Sequence, residues 1–346
     1  MKTINAALLS YGLSGKVFHA PFIKAHKGYH LAGAWERSKK SIGQDYPGAR
    51  SYTSLEELLH DPQVELVIVN TPTNTHFEFA KKALLAGKHV VVEKAFTTTS
   101  AEAYELAQLA LQQHGILSVY HNRRWDSDFM AVQQVIQDGL LGEVVEAQIS
   151  YERFNPQLSA KTHRESPGPG AGNLMDLGPH CIDQALVLFG MPEAVFADLR
   201  SCRPGSLVDD YFELLLYYPS KRVRLKSSYL VREPGPAYIF HGTKGTLLKY
   251  RSDVQEGQLR EGMIPDEAFF GIEPPTAYGT LYKTGIDSSD PIESPRGNYM
   301  HFFELLHLAV ITGSPVPVSA EDGIRVMRVL DAAAESHRTQ SVIRLL

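Results

Sequence analysis

Cysteine is nearly absent. Cys181 and Cys202 are the only two in 346 residues, which excludes a disulfide framework, and their spacing fits no zinc motif. No apolar run approaches the roughly 18 residues of a membrane-spanning helix. The N-terminal apolar stretch at 4–9 is too short for a signal peptide, and no small-residue cleavage site fits well. An excess of one charge is also missing. A formal net charge of -5 gives no reason to expect nucleic acid or an anionic membrane as partner. There are no internal repeats and no low-complexity segments. These absences fit a cytoplasmic, reducing compartment. What is present is ordinary globular composition, 43% hydrophobic and 21% charged, in a chain long enough for two cores.

In residues 1–121, short apolar runs (4–9, 30–35, 64–69, 89–92 and 115–120) alternate with helical patterns. Pro21 should break the first helix early. Ser54, Thr75 and Ser100 are expected N-caps for helices at 55–59, 76–86 and 100–114. Near-continuous apolar strands separated by helices imply a parallel sheet covered on both faces. The expected fold class is therefore α/β, beginning with a doubly wound Rossmann sheet over 1–121.

The turn after the first strand reads Ser10-Tyr11-Gly12-Leu13-Ser14-Gly15, close to G-x-G-x-x-G with Ser10 in place of the first glycine. Gly12 would let a pyrophosphate approach the backbone, and Gly15 would let the next helix pack close to the strand. A tight surface turn explains the same residues. Glu36 lies where an acid takes the adenosine ribose hydroxyls of NAD, whereas Arg37 beside it suits the 2′-phosphate of NADP. A solvated strand end is the alternative. The turn Asn70-Thr71-Pro72-Thr73-Asn74-Thr75-His76 offers Thr71, Pro72, Asn74 and His76 to a ribose and nicotinamide, though His76 reads equally as a first-turn helix residue. The apolar run 90–92 then delivers Glu93 and Lys94 to the carboxyl edge of the sheet, where ligands of such sheets bind. A surface lysine is the alternative there.

Residues 122–346 read as an α+β domain. A helix is expected at 129–138, a long strand at 142–151, and a helix at 181–189 with Pro179 in its first turn. Strand-like runs with turn signals between 195 and 250 imply a large, mostly antiparallel, open-faced sheet, one face under helices and the other available to a partner subunit. Residues 253–296 look irregular and are expected to form a surface excursion. Helices at 299–312 and 320–336 and a strand at 341–345 follow.

A dinucleotide domain followed by an α+β domain points to a dehydrogenase of a small polar molecule. Hydride transfer from an alcohol needs one group to take the hydroxyl proton and another to hold the oxygen. Lys94, Asp176 and His180 are the candidates. Asp176 and His180 flank a turn that could bring a carboxylate beside an imidazole, orienting it and raising its basicity. A turn aspartate, a helix-start histidine and a solvated lysine are the competing explanations.

Tyr11-Gly12-Leu13-Ser14-Gly15, Glu93-Lys94 and Asp176-Leu177-Gly178-Pro179-His180 together resemble the glucose-fructose oxidoreductase / inositol dehydrogenase / rhizopine-catabolism (Gfo/Idh/MocA) family over essentially the whole chain. Val17-Phe18-His19-Ala20-Pro21, Tyr120-His121-Asn122-Arg123-Arg124-Trp125-Asp126, Ile182-Asp183-Gln184, Asp209-Asp210-Tyr211-Phe212 and Gly242-Thr243-Lys244-Gly245 extend the likeness to its NADP-dependent scyllo-inositol dehydrogenases. The resemblance implies NAD or NADP as cofactor and a cyclic polyol or sugar as substrate. It implies Lys94 and His180 flanking the reacting carbon, Asp176 assisting, and Asn122, Arg124 and Trp125 lining the substrate and nicotinamide side. It also implies a homodimer or homotetramer formed through the C-terminal sheet. Two departures stand out: Ala95 follows the lysine where the family usually has proline, and Glu36 precedes the arginine where the NADP-dependent subgroup has a small polar residue; a carboxylate repels a 2′-phosphate, so the NADP preference is not carried over and the balance leans slightly to NAD. An aldose or other carbonyl oxidoreductase, and a non-catalytic dinucleotide-binding sensor, remain as alternatives.

Overall fold

The computed structural model describes residues 2–37, 40–159, 165–285 and 287–345; Ser38, beside Arg37, lies outside them. The chain divides into two compact units. One holds residues 1–122, 255–270 and 298–324, and the other holds 123–254, 271–297 and 325–346. A single cut at residue 121, as the sequence suggests, therefore differs from the observed division, which returns two later segments to the first unit.

The first unit is built on six parallel strands: β1 (Ile4–Leu8), β2 (Tyr29–Trp35), β3 (Arg50–Tyr52), β4 (Leu66–Val69), β5 (His89–Val92) and β6 (Leu117–Val119), in the order β3-β2-β1-β4-β5-β6. Leu66 to Val69 and Val90 to Val92 have no exposed surface, as expected of strands covered on both faces. Strand order reverses between β1 and β4, so the switch point where such sheets bind ligands lies beside the carboxyl end of β1. Strand β3 is too short to have been read from periodicity.

The helices of this unit are α1 (Ala20–Ala25), α2 (Ile42–Asp45), α3 (Leu55–His60), α4 (His76–Leu85) and α5 (Ser100–Gln112). A π-helical turn, Gly15–His19, precedes α1, and Pro21 sits in the first turn of α1. Ser54 caps α3 by accepting from Glu57 N. Two caps differ from expectation. Thr99, not Ser100, accepts from Glu102 N at the start of α5, and the Thr75 hydroxyl donates to Pro72 O at 2.6 Å instead of capping α4. The helix Met300–Thr312 joins this unit through aromatic packing: Phe303 stacks on Phe22 at 5.3 Å, and Phe302 meets Tyr120 edge-on at 4.9 Å.

The second unit carries a nine-stranded sheet. Its strands are β7 (Val144–Ser150), β8 (Ala194–Arg200), β9 (Tyr211–Tyr217), β10 (Arg222–Ser228), β11 (Tyr238–Gly242), β12 (Gly245–Lys249), β13 (Gly279–Lys283), β14 (Ser289–Ile292) and β15 (Ile343–Arg344). Their order is β14-β13-β12-β11-β7-β10-β9-β8-β15, antiparallel except for the parallel pair β7 and β10. Helix α6 (Ser127–Gln137) precedes this sheet in sequence, and α7 (Asn173–Phe189) packs on β9 and β10.

Two expectations are corrected here. The segment 253–296 is not an irregular excursion throughout, because β13 and β14 extend the sheet. Gly279–Lys283 alternates buried and more open residues against β12, and Pro291 is tolerated because β14 is the edge. A buried ion pair secures this extension: Lys249 Nζ reaches Glu273 Oε2 at 2.7 Å and Ala277 O at 2.6 Å. The second correction concerns the helix expected at 181–189. It begins at Asn173 because Asp209 Oδ2 accepts from Leu174 N at 2.6 Å and Asn173 Nδ2 donates to Ser227 Oγ at 3.0 Å. Pro179 thus lies inside the helix rather than in its first turn.

Candidate active site

The carboxyl end of β1 carries the turn expected to receive a dinucleotide. At Gly15 a Cβ would lie 2.5 Å from Ser10 O and 3.1 Å from Asn70 Nδ2, so the turn closes only over a glycine. At Gly12 a Cβ would meet nothing nearer than Ser10 Oγ at 3.4 Å. The fold itself therefore does not require glycine at 12, and the exposure of this residue suits a pyrophosphate drawn close to the main chain. This is the feature that fits a dinucleotide. Leu13 is exposed. Tyr11 is buried and its hydroxyl donates to Asp45 Oδ2 at 2.8 Å; burial first, and then the Asp45 carboxylate, push it far above the usual phenol range. Tyr11 can thus offer a cofactor its main chain rather than its phenol.

Glu36, expected at the adenosine ribose, has a carboxylate that is already occupied. It accepts from Ser41 N at 2.8 Å, Ile42 N at 3.2 Å and Ser51 Oγ at 2.8 Å, is 7% exposed, and so secures the start of α2. Arg37 is exposed beside it. In the turn after β4, Pro72 and Asn74 are exposed, and Thr71 Oγ1 lies 2.7 Å from Thr75 Oγ1. His76 is fully buried, with Nδ1 at 2.8 Å from Ala95 O and Nε2 at 2.8 Å from Thr71 O. Burial lowers its pKa, and a neutral ring donates to only one of these carbonyls at a time. Its ring bridges two loops and does not face outward as a nicotinamide contact would.

The Lys94–Ala95 peptide is cis. Immediately before it, Glu93 Oε1 accepts from Ser14 Oγ at 2.5 Å and from His19 Nε2 at 2.8 Å, and Oε2 accepts from Lys94 N at 3.3 Å. Burial alone would raise the Glu93 carboxyl, but the hydrogen bond and charge of His19, the Ser14 hydroxyl and the Lys94 charge outweigh it and hold the pKa at about 2.

In the second unit, Asp176 and His180 sit one turn apart on α7, a spacing that puts both on one helix face. The sequence suggests that they flank a turn; they share this helix instead. Tyr229 OH donates to Asp176 Oδ2 at 3.2 Å, and the His180 ring lies 6.1 Å from that of Tyr151. Asp209, which caps α7, is pushed up to about 6, chiefly by burial. Arg124 is engaged bidentately by Asp183 of α7, at 2.7 and 2.9 Å, so much of its donor capacity is spent within this unit. Trp125 is half-buried in the same 3₁₀ turn, Asn122–Trp125, and Asn122 of the first unit is 6% exposed. Among the described residues, no group of three or more His, Cys, Asp or Glu could hold a metal ion, and no helix is long and apolar enough to cross a membrane.

Sequence reasoning missed His19, Tyr229 and the capping role of Asp209. His19 and Asp209 fall inside segments that carried the family resemblance, but nothing in their spacing announced a partner 74 residues away for His19 or a helix start 35 residues away for Asp209.

The description "Oxidoreductase family, NAD-binding Rossmann fold" matches residues 4–121, and "Oxidoreductase family, C-terminal alpha/beta domain" matches residues 133–345. A scyllo-inositol 2-dehydrogenase (NADP(+)), IolW, of Bacillus subtilis is 39% identical over 99% of this chain and 96% of its own length. An uncharacterized oxidoreductase of Escherichia coli, YdgJ, is 36% identical over 99% of both. The solved structure of YvaA from Bacillus subtilis superposes with a TM-score of 0.96 at 39% identity, covering 100% of this chain and 99% of that one.

Two outcomes follow from the first unit. Gly15→Ala should cost about 1–3 kcal/mol of stability in urea titrations, whereas Gly12→Ala should leave stability within about 0.5 kcal/mol and weaken dinucleotide binding. Glu93 has a folded pKa near 2 against an ordinary 4.5. Its stabilisation, about 3 kcal/mol at neutral pH, is complete above pH 4.5 and is lost as pH falls from there toward 2. Glu93→Gln should therefore be less stable than wild type at pH 7, with the gap closing in that window when unfolding is followed by circular dichroism.

Proposed function

The chain belongs to the oxidoreductase family whose NAD-binding Rossmann and C-terminal α/β domains together match 4–121 and 133–345, and from that premise we propose that it interconverts a secondary alcohol of a cyclic polyol or sugar, inositol-like in shape, with the corresponding ketone. The observation that carries the reading is the Asp176 and His180 pair one turn apart on α7, in a chain whose Gly12 turn leaves room for a dinucleotide. When bound, NAD(P) supplies the hydride acceptor or donor. His180 takes the hydroxyl proton in oxidation and returns it in reduction. Asp176, steadied by Tyr229, orients the imidazole and favours its protonated form. The Lys94 ammonium holds the reacting oxygen and stabilises developing alkoxide charge. Asn122 and Trp125 contribute to the substrate and nicotinamide side.

Of the two dinucleotides, NADP is the one we assign. The Glu36 carboxylate is consumed by Ser41, Ile42 and Ser51, so its presence does not argue for a ribose diol, while Arg37 offers an exposed guanidinium to a 2′-phosphate. The B. subtilis relative carries NADP(+) in its name. We assign the protein to the cytoplasm, where its two free cysteines would stay reduced, and to a homodimer or homotetramer formed through the nine-stranded sheet, whose β9 leaves Tyr211, Glu213, Leu215 and Tyr217 half-buried on alternate positions.

Absorbance of the reduced nicotinamide, recorded with a panel of inositols and aldoses, tests the reading. Turnover of a cyclic polyol supports it. Turnover of aldoses alone moves the activity to the anomeric carbon, and tight dinucleotide binding without turnover of any polyol, sugar or ketone makes the protein a sensor. His180→Ala should abolish turnover while dinucleotide affinity stays within about threefold, since the lost group acts on substrate. Arg37→Ala should weaken NADP at least tenfold, a charge-assisted bond being worth about 1.5–3 kcal/mol, and leave NAD unchanged.

A further inference from the structure

Among the buried imidazoles of the first unit that the hydride-transfer scheme does not use, His19 is bonded to Glu93. His19 has no exposed surface. Its ring lies 4.5 Å from that of Tyr120 and 6.3 Å from that of Phe303, and Tyr120 is itself fixed by donating to Phe18 O at 2.9 Å. An apolar side chain would fill such an aromatic pocket without the cost of burying two ring nitrogens. Nδ1 has no hydrogen-bond partner. Nε2 has one, the Glu93 carboxylate at 2.8 Å. The same oxygen of Glu93 accepts from Ser14 in the dinucleotide turn, and the other oxygen accepts from the main-chain nitrogen of Lys94.

We propose that His19 is a positioning residue for Lys94: by fixing the Glu93 carboxylate, it holds the main chain of the lysine in register with the turn that receives the dinucleotide. Three segments far apart in sequence, 14–19, 93–94 and 120, meet at this point, and the imidazole supplies the donor that keeps the carboxylate from rotating away. Without it, Ser14 alone would constrain one oxygen. The lysine would keep its amine and lose its placement, and displacements of about 1 Å can cost about 10²-fold in rate. The inference rests on the reading in which Lys94 holds the reacting oxygen.

His19→Gln and His19→Asn separate the hydrogen bond from the packing. Both are polar amides of similar size, but only the glutamine nitrogen reaches the place of Nε2. Lys94→Met serves as the reference for the lysine itself. The readouts are the Kd for NADPH by fluorescence titration and kcat per NADPH-binding site, a normalisation that removes any misfolded fraction. The expected result is a Kd within about threefold of wild type for both His19 variants, kcat at least thirtyfold lower for His19→Asn, and kcat within about fivefold of wild type for His19→Gln. Equal kcat for the two amides, or wild-type kcat per site in His19→Asn while Lys94→Met is inactive, overturns the positioning role and leaves the role of Lys94 standing. Wild-type kcat in Lys94→Met overturns the reading of the lysine, and the positioning claim with it.

Discussion

The first unit depends on a single ionised carboxylate. Glu93 directly follows β5 of the Rossmann sheet and accepts from a serine of the Gly12–Gly15 turn, from a buried histidine and from the next residue's main chain. Burial opposes its charge, and the His19 and Ser14 hydrogen bonds together with the charges of His19 and Lys94 overcome that opposition. The Gly12–Gly15 turn and the lysine are thereby joined through one side chain. Each is set by an element whose own register is fixed: β1 against β2 and β4, and β5 against β4 and β6.

The second unit solves a parallel problem with a helix. The side chain of Asp209, arriving from the start of β9, caps α7 at Leu174 and starts it eight residues earlier than the apolar pattern alone suggests. Because the helix starts there, Asp176 and His180 fall one turn apart on a regular scaffold, and Tyr229 OH steadies the aspartate. Lys249 and Glu273, buried together, hold the late segment onto the far side of the same sheet.

Much of this was legible in the sequence. The alternation of apolar runs and helical patterns revealed the parallel sheet, and hairpin spacing revealed the antiparallel one. What escaped notice has particular physical causes, chiefly side chains drawn to partners that no spacing rule names. Glu36 occupies the position of a ribose acid, yet its carboxylate is drawn inward by Ser41, Ile42 and Ser51, which no spacing rule foresees. Pro179 reads as a helix start because a proline there needs no donor, and only the Asp209 cap makes it an interior residue. β13 and β14 hide in a Pro/Gly-rich stretch because an edge strand tolerates both. His76 reads as a ligand contact or a plain helix residue and is instead a buried bridge between two carbonyls.

The central claim is that Lys94, Asp176 and His180 serve hydride transfer between a dinucleotide and a polyol carbon. Single-turnover absorbance of the reduced nicotinamide, with a cyclic polyol deuterated at its carbinol carbons, tests it most directly. The account predicts reduced-nicotinamide formation with a primary isotope effect that disappears along with the signal in His180→Ala. Saturated dinucleotide binding with no absorbance change for any cyclic polyol would contradict it.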